Sequence, residues 1–323
     1  MTVQSKLPKV PKGPYLDFEQ PVIELAHRIE DLMRNSNITS SDVKELISKK
    51  KKLQKKVHSK LTPWHRIELA RRAGRPYTLD YATNIFSDFV EIHGDRRYAD
   101  DPAMITGLAK LDNQSVVLVG TQKGKDTQES IKRNFGMANP EGYRKAARAF
   151  RLAEKFNIPV VSLIDTPGAY PGIGAEERGQ AQSIAENLKI MATLKVPVVV
   201  VITGEGASGG ALGIGVGDRI LMLENSWYCV ITPEACSAIL WGDNSKKQEV
   251  CGVMKLTPDA LKKLGIIDKI IPEPLGGAHW DPDLMYSTLK SALVQEISQL
   301  KKVSTDELIE QRISKFSSIG ALS

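Results

Sequence analysis

Cysteine is scarce. Cys229, Cys236 and Cys251 are odd in number and form no C-x-x-C pair, which excludes a disulfide framework and a self-contained cysteine zinc site and points to a reducing, cytoplasmic compartment. Long apolar runs are missing as well. The longest, around Val196 to Ile202, is far below the roughly 18 residues of a membrane span, and Met1 to Pro14 alternates lysine and proline without the apolar stretch of a secretory signal. No membrane role is expected. Nothing in the bulk composition suggests a disordered chain, since 41% hydrophobic and 25% charged residues are ordinary for globular proteins and 323 residues can bury a large core. An evenly basic surface is also absent. The net charge is +6, but lysines 44, 49, 50, 51, 52, 55, 56 and 60 against Glu45 make a local +7 that leaves −1 for the rest. Such a run reads first as a solvated helix face and second as a surface for an acidic partner or nucleic acid, although its confinement to one segment weakens the nucleic-acid reading.

What is present is organised around Val160 to Gly217. Pro159 to Asp165 and Val196 to Thr203 are apolar, β-branched runs with no polar alternation, the pattern of strands covered on both faces. Each breaks into a glycine-rich turn, Thr166-Pro167-Gly168-Ala169-Tyr170-Pro171-Gly172 and Gly204-Glu205-Gly206-Ala207-Ser208-Gly209-Gly210-Ala211. A helical pattern from about Glu177 to Lys195 supplies a right-handed crossover, so both turns fall at the same end of neighbouring parallel strands. Backbone N–H groups converge on ligands at such ends.

In chain order, Pro21 to Arg34 and Ser41 to about Val57 read as a helical hairpin joined by a polar connector at Asn35 to Ser41, after a poorly ordered lead. Thr62-Pro63-Trp64 opens a short helix, and Leu79 to Glu91 reads as another. Met104 to Lys110 and Val116 to Gln122 form a hairpin. Asn139 caps a helix running to Phe156, near whose start Arg133, Tyr143, Arg144 and Lys145 are candidates for phosphate contacts and, more simply, for solvent exposure. Arg219 to Leu223, Tyr228 to Ile231 and Ile266 to Ile271 read as strands, with a short helix at Pro233. Pro282 to Lys301 and Thr305 to Phe316 are closing helices.

Three chemistries fit the organising stretch. Gly206-Ala207-Ser208-Gly209-Gly210 matches a serine-hydrolase elbow between strand and helix, with Asp243 or Asp268 and then His279 in the appropriate order, though a serine between glycines also simply permits a tight turn. Asp165-Thr166-Pro167-Gly168 resembles a GTPase Mg²⁺ element, but Gly120 to Asp126 lacks the spacing and the Ser or Thr of a phosphate cradle. The third reading uses the backbone. Gly209 and Gly210 at a helix start and Gly168 and Ala169 at the neighbouring turn can present amide donors at one point, an oxyanion hole of fixed dipoles. Tight strand-to-helix packing accounts for the same glycines equally well.

Several runs together resemble one family. They are Leu16 to Glu19, Arg75 to Tyr81, Arg133 to Met137, Pro140 to Ala146, Asp165 to Gln180, Gly204 to Leu212 and Ile271 to His279. Over about residues 15 to 320 the chain resembles the carboxyltransferase alpha subunit of the multisubunit acetyl-CoA carboxylase. That resemblance implies an α/β, crotonase-like spiral of repeated β-β-α units over 76–275, with an N-terminal helical extension at 1–75 and C-terminal helices at 276–323. It also implies an enzyme that moves a carboxyl group from carboxybiotin on a biotin carboxyl carrier protein to acetyl-CoA, giving malonyl-CoA for fatty-acid synthesis. The implied partners are a zinc-bearing beta subunit, in a heterotetramer of two alpha and two beta subunits, and a separate biotin carboxylase that consumes ATP. No metal is expected on this chain.

The resemblance and the backbone reading meet at the oxyanion hole. Amides of Gly209, Gly210, Gly168 and Ala169 would stabilise charge on the ureido oxygen, Gly206, Ala207, Tyr170 and Pro171 would contribute to binding, and the biotin nitrogen would take the methyl proton. Two departures stand out. Position 207 is Ala where related subunits often have Gly, which restricts φ, and Trp241 to Val253 is less typical of the family and reads as a variable loop near the site.

Overall fold

The computed structural model describes residues 10–11, 13–34 and 40–320. The expected lead before residue 10 and the connector at 35–39 lie outside the described residues. Alternation within the valine-rich runs sets the architecture. In β5 (Val198–Ala207), Val198, Val200 and Ile202 enter one core with α6 (Pro140–Phe156) and α8 (Gln180–Thr193), while Val199 and Val201 enter a second core with α4 (Thr78–Ile85) and α13 (Pro282–Leu300). Both faces of the strand are covered, so its first five positions, Val198 to Ile202, are all apolar.

Eight strands form one mixed sheet. β1 (Ser87–Glu91), β2 (Met104–Leu111) and β3 (Gln114–Thr121) are antiparallel neighbours; β4 (Val160–Thr166), β5, β6 (Arg219–Leu223) and β8 (Lys269–Ile271) continue the sheet in parallel, and β7 (Trp227–Cys229) pairs with the end of β5. Between β4 and β5 the chain passes through α7 (Ile173–Glu177) and α8, and it leaves β5 through the short α9 (Ser208–Leu212). The two glycine turns therefore share one end of adjacent strands. At the N-terminal side, α1 (Gln20–Arg34) brings Val22, Ile23 and Ala26 against Leu53 and Val57 of α2 (Ser40–His58) and against Trp280. α3 (Pro63–Ala70) begins where Thr62 accepts the His65 N–H, with Pro63 in the first turn. The remaining helices are α5 (Thr127–Lys132), α10 (Pro233–Trp241), α11 (Lys247–Val253), α12 (Pro258–Lys263) and α14 (Thr305–Ser318). Among the described residues no helix is long and apolar enough to cross a membrane.

Three local expectations are corrected. The helix expected over Leu79 to Glu91 stops at Ile85, and Ser87–Glu91 instead pairs with β2 as an edge strand with a bulge between Ser87 and Val90; the free edge of the hairpin outweighs local helix propensity. Trp241 to Val253 is only partly a loop: Trp241 ends α10, 242–246 form a turn, and the rest is α11, which buries Val250 and Cys251. Asn139 makes no side-chain cap at α6; its own N–H donates to Asp101 Oδ2 at 2.6 Å.

The last helix is fixed by one buried cation. Arg312 of α14 is 1% exposed and pairs with both carboxylate oxygens of Asp218 at 2.8 Å, while its other N–H groups reach the carbonyls of Met191, Leu194 and Val196. Asp218 in turn accepts the Val198 N–H at 2.7 Å, at the start of the central strand. Removing the cation strands a carboxylate away from water. Arg312→Leu is expected to lower unfolding free energy by about 3–5 kcal/mol, read as a shift of the urea midpoint without a change in slope; a shift within error would show that the pair is dispensable.

Candidate active site

β4 ends at Thr166 and turns through Pro167 into Gly168, whose φ of +150° favours glycine. The Gly168 N–H is already used, donating to Thr166 Oγ1 at 3.1 Å. The turn is held beyond it as well, because Tyr170 donates its N–H to the Ala138 carbonyl and the Gln180 amide donates to the carbonyls of both Ala138 and Tyr170. Across from it stands α9. A Cβ on Gly210 would lie 2.3 Å from the Gly168 carbonyl carbon and 2.4 Å from the Ala169 nitrogen. Backbone thus meets backbone from two strand ends, and only glycine allows it.

The orientation of α9 follows from what holds its carbonyls. Tyr143 Oη donates to Gly210 O at 3.3 Å, Asn187 Nδ2 to Gly213 O at 3.0 Å, and Ser162 Oγ to Ile214 O at 2.6 Å. The opposite end carries first-turn N–H groups without a side-chain cap. Among the described residues, no acceptor meets the amides of Ala169, Gly209 or Gly210. Beside them lies a cavity of about 520 Å³ lined by Gly168, Ala169, Tyr170, Pro171, Ser208 and Gly209, with Ile184 and Val230 on its walls. Among the described residues, Glu176 is the only charged one lining it. The arrangement can hold negative charge with backbone dipoles; its lining has no histidine, and its one carboxylate, Glu176, is exposed to solvent.

Apart from Ser208, the other residues named from the sequence fall outside this cavity. Gly206 and Ala207 are buried in β5, paired with Tyr228 and Cys229 of β7. Ala207 has an ordinary extended φ of −113°, so alanine is unstrained there; the positive φ, +57°, belongs to Ser208. Ser208 is exposed at the cavity mouth with no histidine beside it. His279 is buried elsewhere against Glu19, at 3.3 Å, and Asp243 accepts the Ser245 N–H. The hydrolase triad is not assembled. Asp165 is no Mg²⁺ ligand either, being paired with Lys123 at 2.6 Å. Arg133, Arg144 and Lys145 are engaged by Glu129, by Asp95 and Glu141, and by Asp100, and Tyr143 is buried on Gly210. Among the described residues no group of three or more His, Cys, Asp or Glu is placed to hold a metal ion.

Sequence reasoning missed an ion chain across the strand ends. Lys123 after β3 reaches Asp165 of β4 and Glu205 of β5, each at 2.6 Å; Arg71 after α3 joins Glu205 to Glu234 of α10, again at 2.6 Å each. Burial alone would raise the Glu205 carboxyl, but Lys123 and Arg71 hold it below the usual carboxylate range. Nearby, Arg75 and Glu273 form a buried two-point pair at 2.8 Å, and Arg75 also donates to Thr203 O. The signal was present in the sequence as charged residues closing apolar runs; their pairing was not.

This sheet, with amide donors where two strands end, defines a crotonase-type carboxyltransferase fold. Solved structures agree on the fold: transcarboxylase 12S with methylmalonyl-coenzyme A and methylmalonic acid bound matches 71% of this chain and 42% of its own, with a TM-score of 0.56 at 21% identity. A Pseudomonas malonate decarboxylase hetero-tetramer in complex with coenzyme A matches 69% of this chain and 89% of its own, with a TM-score of 0.55 at 16% identity. The family model "Acetyl co-enzyme A carboxylase carboxyltransferase-like" matches residues 15–320, and the chain belongs to that family. Among curated relatives named acetyl-coenzyme A carboxylase carboxyl transferase subunit alpha, that of Geobacter metallireducens is 52% identical over 93% of this chain and 96% of its own. That of Azoarcus sp. is 50% identical over 96% and 98%.

The Arg75–Glu273 pair makes stability depend on pH. Burial would raise the Glu273 carboxyl, but Arg75 holds it down at about 2, against an ordinary 4.5. A depressed carboxyl stabilises the fold above its unfolded value and loses that contribution as pH falls through the folded one, here about 3 kcal/mol in all. Urea titrations should show Glu273→Gln destabilised by that order at pH 7, with the gap to the parent narrowing from about pH 4.5 toward about 2. A gap that does not change with pH would contradict the pairing.

Proposed function

We propose that this chain is the alpha subunit of an acetyl-CoA carboxylase carboxyltransferase, moving a carboxyl group from carboxybiotin on a carrier protein to acetyl-CoA to give malonyl-CoA for fatty-acid synthesis. Family membership supports the reaction. A single geometric observation supports the site: the Gly210 backbone lies against the Gly168–Ala169 peptide, with the amides of Ala169, Gly209 and Gly210 unclaimed beside the cavity. The biotin ring is neutral and largely apolar with one strongly polar urea oxygen, and the cavity suits it. Ala169, Tyr170, Pro171, Ile184 and Val230 would hold the ring, and the amides would face the oxygen. When bound, carboxybiotin supplies the carboxyl group and a urea oxygen that gains negative charge as that group departs.

The amides meet that charge from fixed positions, so no reorganisation accompanies the reaction. Gly168 contributes conformation and contact, since its own N–H is bonded to Thr166. The cavity lining has no histidine and its one carboxylate, Glu176, is exposed; on this reading the methyl proton of acetyl-CoA goes to the biotin ring nitrogen freed of its carboxyl group. The acyl-CoA half-site and the zinc belong, on this reading, to a beta subunit, two of which pair with two alpha subunits. Biotin carboxylase and its ATP form a separate component. Val230, Ile239, Leu240 and Trp241 are exposed on β7's following turn and α10, an apolar surface suited to a partner. Residues 76–275 would form the carboxyltransferase core between helical extensions, and three unpaired cysteines suit a cytoplasmic setting.

A serine hydrolase remains the rival, because the positive φ of Ser208 is the strained geometry of a nucleophile elbow. Malonyl-CoA-dependent carboxylation of biocytin, the reverse reaction, separates the two when run on the chain alone and on the chain co-expressed with a zinc-containing beta subunit. Activity is expected only in the complex. There, Gly210→Ala should lower kcat by roughly 10²–10³-fold, since its methyl displaces the Ala169 amide, while Ser208→Ala leaves kcat unchanged. Ser208-dependent ester hydrolysis by the chain alone, with no carboxyl transfer in the complex, would overturn the assignment.

A further inference from the structure

A second cavity, of about 460 Å³, lies between the α1–α2 hairpin and the segment that follows β8, and shares no lining residue with the first. Its size falls within the roughly 300–1,000 Å³ of small-molecule sites. The walls are mostly apolar. Ala26 and Ile29 of α1, Ile47 of α2, and Leu275, Trp280 and Leu284 line it.

Charge enters this cavity unevenly. The two carboxylates on its wall are committed, Glu30 to the Val10 N–H at 3.2 Å and to His27 at 3.8 Å, and Asp281 to the Leu284 N–H at 3.0 Å as the cap of α13. Lys50 is different. It is half-buried, its ammonium lies over the Trp280 ring 4.8 Å from the centroid, and among the described residues no carboxylate comes within ion-pair distance of it. Burial pushes that ammonium below its ordinary range, and Glu30 offsets this only from farther away. A partly desolvated cation whose sole close partner is an aromatic face gains strongly from an incoming anion.

We infer that this cavity binds an aliphatic carboxylate, with its chain among Ala26, Ile29, Ile47, Leu275 and Leu284 and its head on Lys50. The exposed Lys51 stands at the same wall. A neutral lipid would leave Lys50 uncompensated. A polyanion such as a nucleotide would bring surplus charge against Glu30 and Asp281, so a single carboxylate fits the wall best. The inference is independent of the carboxyltransferase reading.

Calorimetric titration of the full-length chain with dodecanoate, below its micelle concentration, tests it. Saturable binding with one site per chain is expected. Lys50→Glu, on a solvent-facing helix and checked for an unchanged thermal transition, should weaken it at least tenfold, and Lys50→Met should weaken it in the same direction while keeping the aliphatic stem over Trp280. Dodecanol should bind more weakly than dodecanoate to the parent and be indifferent to Lys50→Glu. Absence of saturable binding, a loss smaller than tenfold in Lys50→Glu, or equal affinity for the acid and the alcohol would overturn the inference.

Discussion

Two strand ends come within touching distance only where no side chain stands between them. The contact of Gly210 with the Gly168–Ala169 peptide is that constraint here, and the surrounding structure is arranged to keep it. β4 and β5 run in register up to Ile164 and Ile202, after which Thr166 pairs with Gly206, so β5 uses four steps where β4 uses two. The surplus backbone is held by the Asp165 carboxylate, which accepts the Glu205 N–H at 2.9 Å. β5 consequently delivers α9 directly across the turn that follows β4. Tyr143, Asn187 and Ser162 bind the carbonyls at its far end, leaving its amides turned to the cavity.

Buried charge secures this geometry at several places. Ion pairs away from water add little net stability compared with apolar packing, yet breaking one is expensive because the remaining charge is left without solvent. They act as registration devices. Lys123, Asp165 and Glu205 bind the ends of three neighbouring strands, and Arg71 extends the chain to α10, which carries Ala235 on the cavity wall. The same device attaches segments the sheet does not hold. Glu19 meets Arg72, His279 and Trp280, while Arg312 meets Asp218. Each joins residues far apart in the chain, so each ties together segments that local structure alone would not.

Much of the sheet was legible in the sequence because burial on both faces leaves a visible mark. The runs at Val160 and Val198 could be read as strands, and the glycines after them as turns sharing one end. The helix that Leu79 to Glu91 suggested was half wrong, since Phe86 to Val90 carries no strong signal apart from the hairpin edge it joins. α11 was missed for the complementary reason: its buried residues, Val250 and Cys251, are too few to mark a period. At the site, Gly168, Ala169, Tyr170, Pro171 and Gly209 line one cavity and Gly210 supports it, whereas Gly206 and Ala207 lie within the strand. Adjacency in sequence could not separate these groups, because the boundary between strand and helix falls between Ala207 and Ser208.

The same boundary explains why two chemistries looked alike. Passing abruptly from a buried strand into a helix calls for a residue at positive φ and small neighbours, whatever the reaction. Ser208 occupies the left-handed region at +57°, a conformation that costs an ordinary residue roughly 1–2 kcal/mol, and Gly209 and Gly210 follow. A hydrolase uses that corner to display an oxygen and needs a histidine within reach; a site of amides uses it to display N–H groups and needs only an uncluttered approach. The histidine is absent, and the approach is kept clear by Gly210. What the chemistry demands of the sequence is then chiefly the exclusion of side chains, a requirement written in glycines whose meaning becomes apparent only when the second strand end is in place.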